Sequence, residues 1–505
     1  MKNCPKILLP SLAALLLGSL LTLAFSPYNV FPFAIIAPAG LFALLLNTSP
    51  KRALCLGFFF GLGLFGTGVY WVFISIHVIG EVPTLLAGII TALFIAILSV
   101  FPASVAYVAN RYFADLPPAA KLIYVYPALW VTSEWIRSFI FTGFPWLFIG
   151  YSQTNSPLKG FAPLLGVYGI SFIALLTSAL FVHAFIQLKQ RQYLRSYTSL
   201  FIILTLWIGG GLLNLIKWTK AQQEPISVAL VQGNIAQTIK WTPEFLQLSL
   251  DRYQSLTEPL WKKDTLIIWP EAAIPMALQD ASDFINQLND RAKKSQASLI
   301  LGIPIRNENG DYYNAVATLG SNNQVYLKRH LVPFGEYTPY SDLFSDALKF
   351  MNIPMSNMAP GKPRQEPLEL NHTKILTSVC YEIAFPDLIR STDPNIGLLL
   401  TVTNDAWFGK SNAQAQHLQM AAMRSLEFAR PLLFVSNDGI TAIVNANGEI
   451  QAAAPPHTAF VLHGTIQART GLTPWMRFGS DLILMIIIAS LITAYRHKKR
   501  DKIIN

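Results

Sequence analysis

Thr377-Ser378-Val379-Cys380-Tyr381-Glu382 carries an apolar, strand-like run into a cysteine and ends it there. Upstream, Ile267-Ile268-Trp269-Pro270-Glu271 ends on a carboxylate, and Tyr326-Leu327-Lys328-Arg329-His330 reaches an ammonium. A thiol, an acid and an amine, each at the edge of a strand, are the equipment of acyl transfer through a thioester. Strongly apolar sequence flanks this segment on both sides, and a nucleophile held against a bilayer points to a lipid substrate.

Working outward, residues 218–478 read as a layered α/β domain. Strand patterns run over 225–233, 266–269, 298–304, 374–379, 396–403, 432–435, 440–444 and 459–464. Asn314 to Leu319 and Gln324 to Lys328, joined by Gly320-Ser321-Asn322-Asn323, read as a hairpin. Helical patterns cover 281–295 and 412–430, the second stopped by Pro431. Strands interleaved with helices imply buried sheets. No internal repeat is visible.

The chain has 505 residues, 52% hydrophobic and 13% charged, which is too apolar for an ordinary soluble enzyme. With about 20 apolar residues per span, eight transmembrane helices are expected, near 8–25, 30–47, 54–75, 84–108, 122–142, 164–186, 197–216 and 481–495. Lys2 and Lys6 precede the first as in a signal peptide, but no small-x-small site follows, so a retained helix is expected. The fifth holds Glu134 and Arg137, so it borders something polar. Three divisions follow: a seven-helix membrane domain (1–217), the α/β domain (218–478), and a last helix with a basic tail (479–505).

Loop charges set the orientation. Lys51, Arg52, Arg111, Lys121, Lys189, Arg191, Arg195 and the C-terminal cluster fall on one side, whereas the loops near 76–83 and 143–163 carry only Lys159. By the positive-inside rule, the α/β domain lies on the periplasmic side of a multi-pass inner-membrane protein. Many of the basic residues behind the net charge of +10 lie in these loops and are not gathered on one helix with interleaved aromatics, so nucleic acid is not the expected partner. Cys4 and Cys55 sit at inside ends of spans, which leaves Cys380 without a disulfide partner in the exported domain.

Each candidate has a plain reading beside a functional one. Cys380 is either a small buried core residue or a nucleophile presented at a strand-to-helix turn. Glu271 is either half of a structural ion pair or the general base for the thiol. Lys328 is either part of a solvated basic cluster or the group that holds an oxyanion. The histidines are scattered and form no metal-ligand spacing, and no phosphate-binding glycine loop appears, so no cofactor is inferred.

Trp269-Pro270-Glu271, the run from Lys328 to Glu336, Cys380-Tyr381-Glu382 and Asn404-Asp405-Ala406-Trp407-Phe408-Gly409 together resemble the nitrilase superfamily, specifically its apolipoprotein N-acyltransferase branch. Glu134-Trp135-Ile136-Arg137, Gly143-Phe144-Pro145-Trp146 and Gly150-Tyr151-Ser152-Gln153 extend the match through the apolar part. The resemblance implies a nitrilase-like α-β-β-α sandwich inserted between the seventh and eighth transmembrane helices. It implies a catalytic Glu271, Lys328 and Cys380, with Glu336, Tyr381, Glu382 and Trp241 in support. It also implies a membrane phospholipid as acyl donor, with phosphatidylethanolamine favoured, and the N-terminal S-diacylglyceryl cysteine of an apolipoprotein as acceptor. Phe434 stands where an arginine is expected, and Asp438 is atypical, which puts a local contact to a lipid head group in question. Two rivals remain: a membrane-tethered amidase with water as acceptor, and a transporter or scaffold carrying an inactive relative of the enzyme.

Overall fold

The computed structural model describes residues 4–222, 224–338, 357–370 and 372–504; Lys2 lies outside them. The chain forms two units. One comprises Met1–Phe73, Leu85–Lys217 and Pro474–Asn505, and the other Ile74–Thr84 and Trp218–Thr473.

In the second unit one six-stranded sheet runs in the order Phe460–Ile466, Ile226–Gln232, Thr265–Ile268, Ser298–Arg306, Tyr312–Leu319, Val325–Leu327. The other runs Leu368–Leu370, Thr373–Val379, Ile396–Thr403, Leu432–Ser436, Ala442–Val444, Ile450–Ala453. Both step through the same pairings: antiparallel, parallel, parallel, antiparallel, antiparallel. Successive side chains of a strand point to opposite faces. Val228 and Leu230 therefore enter a core shared with Val379, Leu400 and Leu433 of the other sheet. Ala229 and Val231 turn the other way, toward Tyr253, Ile285 and Leu288 of the helices Pro243–Thr257 and Ser282–Ser295. On the second sheet, Phe434 faces the helix Ala413–Phe428, its ring edge-on to His417 at 5.2 Å. The layers are helix, sheet, sheet, helix. Strands covered on both faces read as unbroken apolar runs, and Ile396–Thr403 is buried at every residue.

In the first unit a helix occurs near each expected span, but length and composition qualify fewer of them. Among the described residues, Thr84–Tyr112, Pro157–Lys189 and Tyr193–Leu213 are long and apolar enough to cross a membrane. A fourth qualifies if Pro50–Gly68 and Trp71–Ile79, bent by 52°, count as one span. Leu8–Thr22 and Phe33–Leu45 are apolar but shorter. The expected span 122–142 is helical as far as Arg137, with a π turn at Lys121–Val125 running into the helix Tyr126–Arg137, and ends in a separate 3-10 turn Ile140–Thr142. Its two ionisable groups are used on nearby backbone: Glu134 accepts from Ile149 N–H at 2.9 Å, and Arg137 donates to Phe144 O and Trp146 O at 3.1 and 2.6 Å. The guanidinium also lies over the rings of Phe65 and Phe148, at 5.1 and 4.8 Å.

Candidate active site

Cys380 is the first residue after the strand Thr373–Val379 and opens the 3-10 turn Cys380–Ala384. Its φ is +52°, in the left-handed region that L-residues with a Cβ enter at a cost of about 1–3 kcal/mol. That reversal takes the cysteine out of the strand's alternation. The residue is 8% exposed. Burial holds it protonated well above the usual thiol range and Glu271 pushes the same way, while Lys328 and a hydrogen bond from Thr403 oppose. A buried, protonated thiol flanked by a carboxylate needs that carboxylate as its base before it can attack a carbonyl.

Glu271 follows the strand Thr265–Ile268, at a place opened by Gly302. A Cβ at Gly302 would meet Pro270 O at 2.4 Å and the Glu271 Cα at 2.6 Å, so only glycine allows this approach. Lys328 follows the strand Val325–Leu327 and is almost wholly buried. Its Nζ lies 2.9 Å from the Glu336 carboxylate and 3.4 Å from Glu271 Oε1. Burial alone would lower this ammonium, but Glu336, Glu271 and Cys380 together hold it well above the usual lysine range. Asn314 Nδ2 donates to both carboxylates, at 2.7 Å to Glu271 Oε1 and 2.8 Å to Glu336 Oε1. Turning the amide over would set its oxygen against two acceptors, which fixes the orientation.

Glu382 joins the two strand ends that carry sulfur and ammonium. One carboxylate oxygen accepts from Val379 N–H at 2.8 Å and from the Tyr326 hydroxyl at 2.9 Å. The other accepts from Arg329 N–H at 2.7 Å and His330 N–H at 3.1 Å. The residues before Cys380 and after Lys328 thus hang on one buried group. Tyr381 stacks edge-on against Phe385, with ring centroids 4.9 Å apart. Trp241 caps the short helix Gln237–Lys240, and its buried indole N–H finds no hydrogen-bond partner among the described residues.

Three participants escaped sequence reasoning. Asn314 was legible only as the start of a strand. Lys240 is fully buried, donates to Glu271 O at 3.2 Å, and is pushed down to about 8 by burial, with Glu271 opposing. His417, also fully buried, sets Nδ1 3.0 Å from Asp405 Oδ1 and Nε2 3.1 Å from the Cys380 carbonyl oxygen. Both facing atoms are acceptors, so the ring bridges the Asp405 side chain and the nucleophile's own carbonyl. The one available signal was Asp405 inside the quoted Asn404-to-Gly409 run; nothing in the sequence singled out this histidine. At Phe434, where an arginine was expected, the side chain has no exposed surface and packs on His417, in line with the doubt over a head-group contact there. Asp438 is used locally, 2.7 Å from His457 Nδ1 and 2.8 Å from Gly439 N–H.

Two family models match the chain: Apolipoprotein N-acyltransferase N-terminal domain over residues 17–180, and Carbon-nitrogen hydrolase over residues 227–474. An apolipoprotein N-acyltransferase of Coxiella burnetii is 41% identical over 486 residues, covering 96% of this chain and 99% of that protein. Those of Pseudomonas syringae pv. tomato and Vibrio parahaemolyticus are 37% and 34% identical, covering 93% and 97% of this chain and 93% and 98% of theirs.

Proposed function

Because the chain belongs to the apolipoprotein N-acyltransferase family, we propose that it moves an acyl chain from a membrane phospholipid to an apolipoprotein through a thioester on Cys380. Glu271 removes the thiol proton, and the sulfur attacks the sn-1 ester carbonyl of the donor, with phosphatidylethanolamine favoured. Lys328 holds the developing oxyanion. The ester C–O bond breaks, the proton on Glu271 passes to the departing oxygen, and a lysophospholipid leaves. The α-amino group of an N-terminal S-diacylglyceryl cysteine then attacks the thioester. Glu271 accepts the amine proton, the C–S bond breaks, and the thiol is restored as the amide forms.

The observation that carries this reading is the buried Glu271–Lys328–Glu336–Asn314 cluster, tied through Glu382 to the strand end bearing Cys380. Glu336 and Asn314 keep Lys328 charged and Glu271 oriented, Tyr381 and Glu382 hold the nucleophile's turn, and Trp241 follows the helix whose Lys240 bonds the Glu271 carbonyl. The apolar helices suit both substrates, since each acyl methylene kept out of water is worth ~0.8 kcal/mol. The loop charges support a catalytic unit on the periplasmic side of a bacterial inner membrane.

The test supplies purified protein with a phospholipid labelled on its sn-1 chain and no acceptor. A mass increment on the peptide holding Cys380, absent in Cys380→Ala, is the expected result. Lysophospholipid released equally by Cys380→Ala would sink the assignment. Adding a diacylated lipopeptide moves the label to its N-terminus; release as free fatty acid would instead favour the hydrolase.

A further inference from the structure

In the first unit a cavity of about 300 Å³ opens where the loop Leu46–Ser49 meets the residues around 110–121. Thr48, Ser49, Asn110, Leu116, Pro118 and Lys121 are among the residues that line it. Asn110 pins the loop, donating to Leu45 O at 2.8 Å and Thr48 O at 3.1 Å while its oxygen accepts from the Tyr126 hydroxyl at 3.1 Å. The walls are therefore built, not incidental.

Lys121 is the odd member. It is 6% exposed, yet among the described residues its ammonium makes no hydrogen bond and no ion pair. Asp115 attracts it from beyond ion-pair distance, and that carboxylate is largely exposed and lies 3.9 Å from Lys498 Nζ. A largely buried side chain whose ammonium has no counter-charge leaves room for an anion in the cavity it lines. The cavity also receives the N-terminus of the nineteen-residue helix Pro50–Gly68, where Ser49 makes no side-chain cap bond. The positive end of the helix dipole favours an anion there. Lys51 and Arg52, exposed on the same first turn, add to the positive field. Leu116 and Pro118 supply an apolar wall for whatever the anion is attached to.

We propose that this cavity binds a phosphate-bearing anion, with Lys121 and the helix N-terminus as its counter-charges. A tetrahedral phosphoester suits converging donors and a cavity of this size better than a lone halide. A lipid head group and free phosphate share that chemistry.

Full-length protein in maltoside micelles is titrated separately with dioleoylphosphatidylglycerol, dioleoylphosphatidylcholine and inorganic phosphate while its thermal midpoint is followed. Saturable stabilisation by phosphatidylglycerol, with little from phosphatidylcholine, identifies a lipid head group. Stabilisation by inorganic phosphate identifies the free ion. In either case Lys121→Met weakens apparent affinity about tenfold, and Lys121→Arg preserves it. Ala114→Glu, which adds a negative charge at an exposed rim position, weakens binding likewise and decides the matter alone if Lys121→Met does not fold. The proposal is overturned if neither anion stabilises the wild type, or if the variants titrate as it does. The readout is binding, so it stands apart from acyl transfer, which these variants leave unchanged.

Discussion

Replacing Glu382 tests whether the two strand ends are held by one buried carboxylate. Glu382→Ala strands three N–H donors, of Val379, Arg329 and His330, and takes an acceptor from the Tyr326 hydroxyl. An orphaned buried donor costs ~1–3 kcal/mol, so three give roughly 3–6 kcal/mol after partial relaxation. Burial lifts the Glu382 carboxyl above its ordinary range, so removing the charge returns part of that sum. Glu382→Gln separates the contributions. Its oxygen can still serve Arg329 and His330, but its NH2 meets the Val379 N–H, leaving one orphan and a cost of about 1–3 kcal/mol. For a unit of this size that lowers the thermal midpoint by roughly 2–10 °C, with alanine well below glutamine. Because Val379 precedes the nucleophile, the initial rate of Cys380 acylation by labelled phospholipid should fall about 10–100-fold in Glu382→Gln. Differential scanning fluorimetry and single-turnover labelling read the two effects. Identical behaviour of alanine and glutamine, or wild-type acylation in either, would refute the hydrogen-bond accounting.

Other perturbations follow from the same geometry. Alkylation of Cys380 by a small maleimide should require a higher pH than an ordinary thiol does; Glu271→Gln lowers that pH and Lys328→Met raises it, and the reverse order would contradict the assigned charges. Gly302→Ala drives a methyl group into the Pro270–Glu271 backbone, so acylation should fall at least tenfold with the protein still folded, and unchanged kinetics would show that the approach is not needed. His417→Ala frees the Cys380 carbonyl and should reduce kcat about 10–100-fold at unchanged KM, with His417→Gln partly restoring it; a change in KM alone would rule out positioning. Lys240 is buried with a folded value of about 8, below its unfolded 10.5, so its charge is a burden below pH 8 that fades as pH rises to 10.5. The stability of wild type relative to Lys240→Met should therefore climb by about 3 kcal/mol across that window, and a flat difference in scanning fluorimetry counts against it.

Much of the fold was legible because burial on both faces leaves unbroken apolar runs. The expected strands at 225–233, 266–269 and 396–403 differ from Ile226–Gln232, Thr265–Ile268 and Ile396–Thr403 by a residue or so at an end. The two edge strands of the second sheet escaped. Ile450–Ala453 is almost wholly exposed and Leu368–Leu370 is three residues long, so neither carries a periodic signal. The bend after Gly68 was missed because apolar sequence continues through it, whereas Ser75 within it donates to Trp407 O at 2.7 Å, a contact made 332 positions away.

Sequence by itself determined the chemistry available: a thiol, a carboxylate and an amine at strand ends, in a chain with helices apolar enough for lipid, within a family recognisable by its short motifs. Those follow from residue type and local pattern, which are written one position at a time. Only the tertiary structure decided which groups meet. Two sheets with the same order of pairings and no visible repeat set Lys328 and Glu336 beside Glu271, put Asn314 between the carboxylates, and hung both strand ends on Glu382. Side-chain direction depends on register and on the left-handed turn at Cys380, and a hydrogen bond between residues tens of positions apart leaves no mark on either neighbourhood.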